Sequence, residues 1–392
     1  MKLFTLLLLL AFAERSWKFA TVRRFFRRPL PSASLPERVS ILQPILSGDP
    51  ALPTCLEENL CMRTGYEVDF IWLLDEDDAD GQCICRELMA RYPQRPVQLV
   101  TLPPPAADEN PKLVKLLAGT QLAQGEIIVV LDDDTSLPDA GLERCLPALD
   151  EPGVGLAFGL PFYRSFDNFW SRLVAVFVNS NSLLTYVPYT SLSQPFTING
   201  MFYAMRREVY DDVGGFGELR HTLADDFAVA QHMRRQGYRL VQTPLCHPIR
   251  TTVHDGRHYR RLIQRWFIFP RESLMRQLRG RELELFYGVS ALPAFVPWLL
   301  LLGALLLRRR RALLALLAYL AYDYAIVAQM NRAYLQGATP WRYSWLVPLL
   351  RLVFPAQLLA ALLSPQRIVW RGHVMQVERG GGFRFTRRRT DV

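Results

Sequence analysis

The stretch EIIVVLDDDTSLPD, Glu126 to Asp139, carries five apolar residues, Ile127 to Leu131, straight into three carboxylates, Asp132, Asp133 and Asp134. A short unbroken apolar run that ends in a polar cluster predicts a strand buried on both faces, as in parallel sheets covered by helices. Working outward, RVSILQPIL (Arg38–Leu46), EVDFIWLLD (Glu67–Asp75) and PVQLVTL (Pro96–Leu102) read as three earlier strands. Between them, ALPTCLEENLCMRT and GQCICRELMARY have the apolar spacing of helices. The expected class is α/β with a mostly parallel sheet, whose ligands bind beyond the carboxyl ends of the strands. Asp75, Asp77, Asp78 and Asp80 follow the second strand and Asp132 to Asp134 the fourth, so both acid clusters fall on the ligand side.

Side chains alternate along an extended chain, which would aim Asp132 and Asp134 one way and Asp133 the other. Two converging carboxylates at the edge of a low-dielectric sheet repel, and a hard divalent cation relieves them. Mg²⁺ or Mn²⁺ held this way completes its shell with phosphate oxygens, so Asp-x-Asp suggests a metal-bridged diphosphate. A solvated acidic turn, extended by Asp139, is the alternative.

The chain has 392 residues, 50% of them hydrophobic and 21% charged, with a formal net charge of +9. That is too long for one ordinary domain and too apolar for a typical soluble protein. Leu285 to Leu307 carries no charge, Ala312 to Met330 only Asp323, and Trp345 to Leu363 only Arg351. The first of these would span about 34 Å as a helix, enough to cross a bilayer core. Residues 1–28 read as a short membrane anchor with a basic flank, RSWKFATVRRFFRRP, because its positive charges follow the apolar run instead of preceding it as in a signal peptide. Basic residues crowd around the apolar segments, which points to anionic lipid and not to nucleic acid. Six dispersed cysteines form neither a zinc spacing nor a disulfide framework.

Farther along, RHTLADDFAVAQHMRRQGYRL (Arg220–Leu240) predicts a helix capped by Thr222, with Asp225 in a capping box, ending near Gly237. Asp226 has no capping task; it is a candidate general base, the alternative being an acid that favours the helix dipole. FYRSFDNFWSRLVAVFVNSNSLLTYVPY (Phe162–Tyr189) combines aromatics, small polar residues and a helical apolar face, which suits an amphiphile and equally suits core packing.

The ordered set VSILQPILSGDP, LDEDDAD, ENPKLVKL, LDDD, FTINGMFYAMRREVYDDVGGF, LADDFAVAQHMRRQGYRL, RLIQRW and the tail IVWRGHVMQV resembles the ceramide glucosyltransferases, a membrane-bound branch close to glycosyltransferase family two. The resemblance covers about residues 38–270, the apolar C-terminal third and the tail. It implies a GT-A type nucleotide-sugar-binding domain over 36–284, membrane helices over 285–363 and a basic tail over 364–392. It places Asp77 and Asp78 near the nucleotide, Asn110, Pro111 and Lys112 in the donor pocket, Asp132 and Asp134 on Mg²⁺ or Mn²⁺ with Asp132 also facing the donor, and Asp226 as the base that activates the acceptor hydroxyl. Arg265 and Trp266 match the end of a Gln/Arg-x-x-Arg-Trp motif, with Gln264 beside them. The motif's first position is Leu262 here, with Arg261 one residue early, a departure from the pattern.

The implied activity is inverting transfer of a sugar, glucose foremost, from a UDP-sugar to the primary hydroxyl of a membrane lipid such as ceramide. A diacylglycerol or hopanoid acceptor is the neighbouring alternative. A processive polysaccharide synthase would need more spanning helices, and a non-catalytic binding module would not need the full acidic set. The expected partners are the UDP-sugar, the acceptor lipid and the bilayer, with no nucleic acid and no obligate protein partner. The catalytic domain is expected in the cytoplasm. Residues 285–307 and 312–330 would then span, leaving Arg308 to Arg311 on the far side against the positive-inside tendency. Pro348, Arg351 and Pro355 make 345–363 an interfacial or re-entrant segment, which would return Trp370 and Arg371 to the catalytic side.

Overall fold

The computed structural model describes residues 2–31, 38–378 and 380–388. Its centre is a seven-stranded sheet of order β3-β2-β1-β4-β6-β5-β7. The strands are β1 (Arg38–Pro44), β2 (Glu67–Asp75), β3 (Val97–Leu102), β4 (Ile127–Leu131), β5 (Val154–Tyr163), β6 (Phe202–Arg206) and β7 (Arg239–Ile249). Only β6 runs antiparallel to its neighbours. The four strands expected from sequence are present, trimmed by one to three residues at some ends.

All five residues of β4 are buried. Ile127, Val129 and Leu131 pack under α2 (Leu52–Cys61) and α3 (Ala79–Arg91) on one face. Ile128 and Val130 pack on the other against α4 (Pro111–Leu122) and residues 209–233. The unbroken apolar run is therefore one strand feeding two cores, at roughly 2 kcal/mol of burial per side chain. Between β5 and β6 lies α5 (Phe169–Thr190), and β6 leads into the short α6 (Arg207–Asp212). The helix α7 spans Asp225–Arg235 and α8 spans Gly256–Phe269.

The helices α5 and α8 pack with β5 and β7 into an apolar bundle. That bundle contains α1 (Lys2–Phe26), α11 (Leu292–Leu307), α12 (Arg310–Tyr334) and α13 (Leu346–Leu362), while the short α9 (Met275–Gln277) and α10 (Arg281–Phe286) pack against Tyr189, Phe196 and Phe227. Two continuous helical stretches, Arg281–Leu307 and Arg310–Tyr334, are long and apolar enough to cross a membrane; α13, at 17 residues, is shorter. Leu3, Leu6 and Leu10 of α1, Leu302, Leu305 and Leu306 of α11 and Leu313, Leu314 and Leu317 of α12 are exposed, an apolar exterior suited to lipid.

The basic flank of the N-terminal anchor is not a surface feature throughout, because α1 continues through it and buries Arg15 and Lys18. Arg15 pairs with Asp323 at 3.1 Å, and Lys18 donates to the Val289 carbonyl at 2.6 Å. Arg351 is likewise buried, 2.8 Å from the same Asp323 and bonded to the Ser180 carbonyl. A charge in α13 is thus neutralised inside the bundle instead of facing lipid, which is how such residues are tolerated at membrane depth.

After α13 the chain forms a second, three-stranded antiparallel sheet from β8 (Arg367–Trp370), β9 (His373–Val377) and β10 (Phe383–Arg387). It packs its Ile368, Met375, Val377, Phe383 and Phe385 against Leu223 and Ile268.

Candidate active site

A cleft opens at the carboxyl ends of β1, β2 and β4, where the sequence places both acid clusters. Its lining includes Asp75, Asp77, Asp78, Lys112, Lys115, Asp132, Asp133, Asp134 and Arg265, and from the C-terminal sheet Trp370, Arg371, His373 and Phe385.

The Asn110-Pro111-Lys112 element has a local explanation. Asn110 caps α4, its Oδ1 accepting from the amides of Lys112 and Leu113, and Pro111 occupies the first turn, where no amide is needed. Its Nδ2 donates to the carbonyls of Thr222 and Leu223, tying α4 to the loop before α7. Lys112 then projects from the first turn, its Nζ 2.7 Å from Asp132 Oδ1, 3.0 Å from Asp225 Oδ2 and 2.7 Å from the Gly200 carbonyl. Burial opposes its charge, but Asp132 and Asp225 outweigh that and hold the ammonium well above the usual lysine range. One turn on, Lys115 bonds Asp75 at 2.9 Å and the Ile45 carbonyl at 3.0 Å. Lys115 was not anticipated, although its i+3 spacing from Lys112 on a helix opening toward the acids was the available signal.

The three acids after β4 separate, but by a different route from the one expected. The strand ends at Leu131, and Thr135 N–H bonds the Asp132 carbonyl in a turn, so strand alternation does not set their directions. All three line the cleft. Asp132 goes to Lys112, and Asp133, 6% exposed, to Arg371 and the Leu46 amide. Asp134 accepts from Thr251 Oγ1 at 2.8 Å, and among the described residues no cation lies within ion-pair distance of it. Burial, then Asp133 and Asp132, push its carboxyl up to about 7. A carboxylate left short of positive charge beside a second one fits a hard cation. Among the described residues no three His, Cys, Asp or Glu side chains gather as a metal cluster, so Asp132 and Asp134 would need oxygens from a bound phosphate to complete a shell.

Asp78 is buried at the start of α3, where it accepts from the Gly81 amide at 3.2 Å, the Ser47 amide at 2.8 Å and the Ser47 hydroxyl. It shapes the cleft wall, while the exposed Asp77 beside it keeps its carboxylate toward the opening.

At α7 the structure corrects the expected capping. The helix begins at Asp225 after Ala224, and Thr222 does not cap it: the backbone of 222–223 is taken up by Asn110 and by the Gly381 carbonyl, which draws the chain away from cap geometry. Asp225 is engaged by Lys112 and not by a capping box. Asp226 lies just outside the cleft lining; its Oδ1 accepts from the Phe227 amide at 2.7 Å. Burial first, then the charge of Asp225, raise its carboxyl to about 7. A Cβ on Gly200 would stand 3.1 Å from the Asp226 Cβ, so the absence of a side chain there makes room for it. On the other flank is Tyr186 of α5, whose hydroxyl is raised to about 12 by burial and then by the Asp226 charge.

Consecutive residues on α8 part company. Arg265 enters the cleft, its guanidinium 5.4 Å from the Trp370 ring, and burial draws its pKa down to about 10, leaving it charged at neutral pH. Trp266 turns to the bundle side, 6.3 Å from the rings of Tyr163 and Phe177. Gln264 donates to the Arg367 carbonyl of β8 and does not line the cleft. Leu262 is buried in the helix core and Arg261 is exposed, so neither fills a motif position in the cleft.

A family model for glycosyl transferase family 21 matches residues 3–383. Among solved structures, the mannosyltransferase PcManGT from Pyrobaculum calidifontis, in complex with GDP-Man and Mn²⁺, is similar with a TM-score of 0.53 and 19% identity, over 91% of this chain and 96% of that one. GalNAc-T7 with UDP, GalNAc and Mn²⁺ overlaps with a TM-score of 0.44 and 12% identity, over 67% of this chain and 57% of that one. The first likeness shows a GT-A-like fold.

Proposed function

The chain belongs to glycosyl transferase family 21, and on that premise we propose that it is an inverting transferase moving a sugar, glucose foremost, from a UDP-sugar to the primary hydroxyl of a membrane lipid such as ceramide. The observation that carries this reading is the position of Asp226. It sits between the Lys112–Asp132–Asp225 group of the cleft and Tyr186 of α5, the helix that packs into the apolar bundle.

In this reading the nucleotide lies along Asp77 and the wall shaped by Asp78, with the diphosphate toward Asp132, Asp134, Lys112 and Arg265. Asp132 and Asp134 would hold Mg²⁺ or Mn²⁺, which supplies Lewis-acid neutralisation of the diphosphate. The acceptor's alkyl part would lie along the aromatic junction of α5, α8 and α13, where Phe354 approaches Phe177 and Phe267 to 4.9 and 5.6 Å. Trp266 faces that junction.

Asp226 accepts the proton of the lipid hydroxyl while that oxygen bonds the anomeric carbon, and the bond to the diphosphate oxygen breaks. Attack opposite the leaving group inverts the centre. No second carboxylic acid is required, because the charge departing with UDP is met by the cations Arg265 and Lys112. A carboxyl titrating near 7 is matched to this task at cytoplasmic pH, the compartment in which the catalytic domain is proposed to lie. The exposed apolar exterior supports an integral membrane protein.

The test is to incubate purified protein with a panel of UDP-sugars against ceramide, diacylglycerol and a sterol-like alcohol, identifying products by mass. A glycosylated lipid is expected; a growing polymer would favour a processive synthase, and no product from any pair would overturn the reading.

A further inference from the structure

The turn joining β8 to β9 is built against ordinary preference. Trp370 and His373 are paired, leaving Arg371 and Gly372 as a two-residue turn with φ of 45° and 89°. Hairpins of this kind take Asn-Gly or Gly-Gly, because the first position is left-handed. An arginine held there marks a position fixed by its surroundings, and such positions concentrate at functional sites. Those surroundings are the cleft. Arg371 grips Asp133 with both terminal nitrogens, at 2.6 and 2.9 Å, and donates to the Leu46 carbonyl at 3.0 Å.

We propose that Arg371 is a positioning residue of the donor site: by neutralising Asp133 it leaves Asp132 and Asp134 as the acids available to a metal-bound diphosphate. This rests on the reading of the cleft as a nucleotide-sugar site. Three adjacent carboxylates would repel a polyanion; Lys112 offsets one of them and Arg371 another. The sheet has its own attachments. Phe385 N–H bonds the Ala107 carbonyl at 2.8 Å, Gly380 N–H bonds the Glu272 carbonyl at 3.2 Å, and the apolar face rests on Leu223 and Ile268. Loss of Arg371 therefore removes the charge and leaves the sheet in place.

The experiment titrates UDP with Mn²⁺ into the full chain in lipid nanodiscs by calorimetry, for wild type, Arg371→Asn, Arg371→Lys and the double variant Asp133→Asn/Arg371→Asn. Asn suits the left-handed position, so Arg371→Asn should fold; the orphaned Asp133 should lower its melting temperature, and UDP should bind roughly 10- to 100-fold more weakly, the effect of losing a charged hydrogen-bonded partner. Arg371→Lys should fall between them, and the double variant should recover most of the affinity because the orphaned acid is gone. Binding by Arg371→Asn within twofold of wild type, its failure to fold, or no recovery in the double variant would overturn the proposal. Wild type failing to bind UDP would instead overturn the donor-site reading itself, a result separable because it needs no variant.

Discussion

Replacing Asp226 by Asn should abolish turnover and stabilise the protein in the same stroke. The carboxyl is raised from its ordinary 3.8 to about 7, chiefly by burial and then by Asp225. For an acid shifted upward, the folded state resists ionisation. The resulting penalty is absent below the unfolded value, grows between pH 4 and 7, and is complete above pH 7. At 1.36 kcal/mol per tenfold change in acidity the penalty is at most about 4 kcal/mol. Partial exposure, which lets solvent screen the charge, brings the expected gain for Asn to about 1–3 kcal/mol, a rise of a few degrees in melting temperature. Removal of the base should lower kcat by about 10² to 10⁴, or roughly 3–5 kcal/mol of barrier, with the donor KM little changed. The assays are steady-state kinetics and thermal unfolding of both proteins at pH 5 and 8. The stability gain should be full at pH 8 and fall to roughly 40% of that at pH 5, and the wild-type kcat should rise with pH through about 7. Near wild-type kcat in the variant, or a lower melting temperature at pH 8, would show that Asp226 is a helix-stabilising acid and refute the reasoning.

Three further outcomes follow from the same geometry. Excess chelator should stop transfer and Mn²⁺ or Mg²⁺ should restore it; full activity in chelator, with no metal found by elemental analysis, would contradict the role given to Asp132 and Asp134. Lys112→Met leaves Asp132 and Asp225 unpaired, so it should lower stability by about 2–4 kcal/mol, discounted for partial exposure, and raise the donor KM, read by thermal unfolding and initial rates. Phe385 of the tail bonds Ala107 beside the cleft, so in the proposed membrane arrangement tail and cleft share the cytoplasmic side; cysteines placed at Ser364 and Arg388 in a thiol-free variant should resist an impermeant reagent in intact cells, and ready labelling would put the cleft outside.

The sheet was legible because its signal is local: five apolar residues bounded by acids read as a strand buried on both faces. Asn110-Pro111-Lys112 was visible only through the family resemblance; its local basis, a cap, a first-turn proline and the lysine that follows them, came from the structure. What escaped were pairings across long stretches of chain. Arg371 meets Asp133 over 238 residues and Thr251 meets Asp134 over 117, and no spacing rule connects them. Thr222 was misread as a cap because Asn110 and the tail compete for its backbone, which a local pattern does not record. Arg15 was read as part of a basic flank because its partner, Asp323, lies three hundred residues away in α12.

The central claim is a direct displacement at the anomeric carbon by a lipid hydroxyl. Its most immediate test is the proton NMR spectrum of the glycolipid formed from UDP-α-glucose and ceramide, read for the attachment carbon and the anomeric coupling constant. A β-linked sugar on the primary hydroxyl is expected; an α-linked product, or a sugar at any other position, would contradict direct displacement by that hydroxyl.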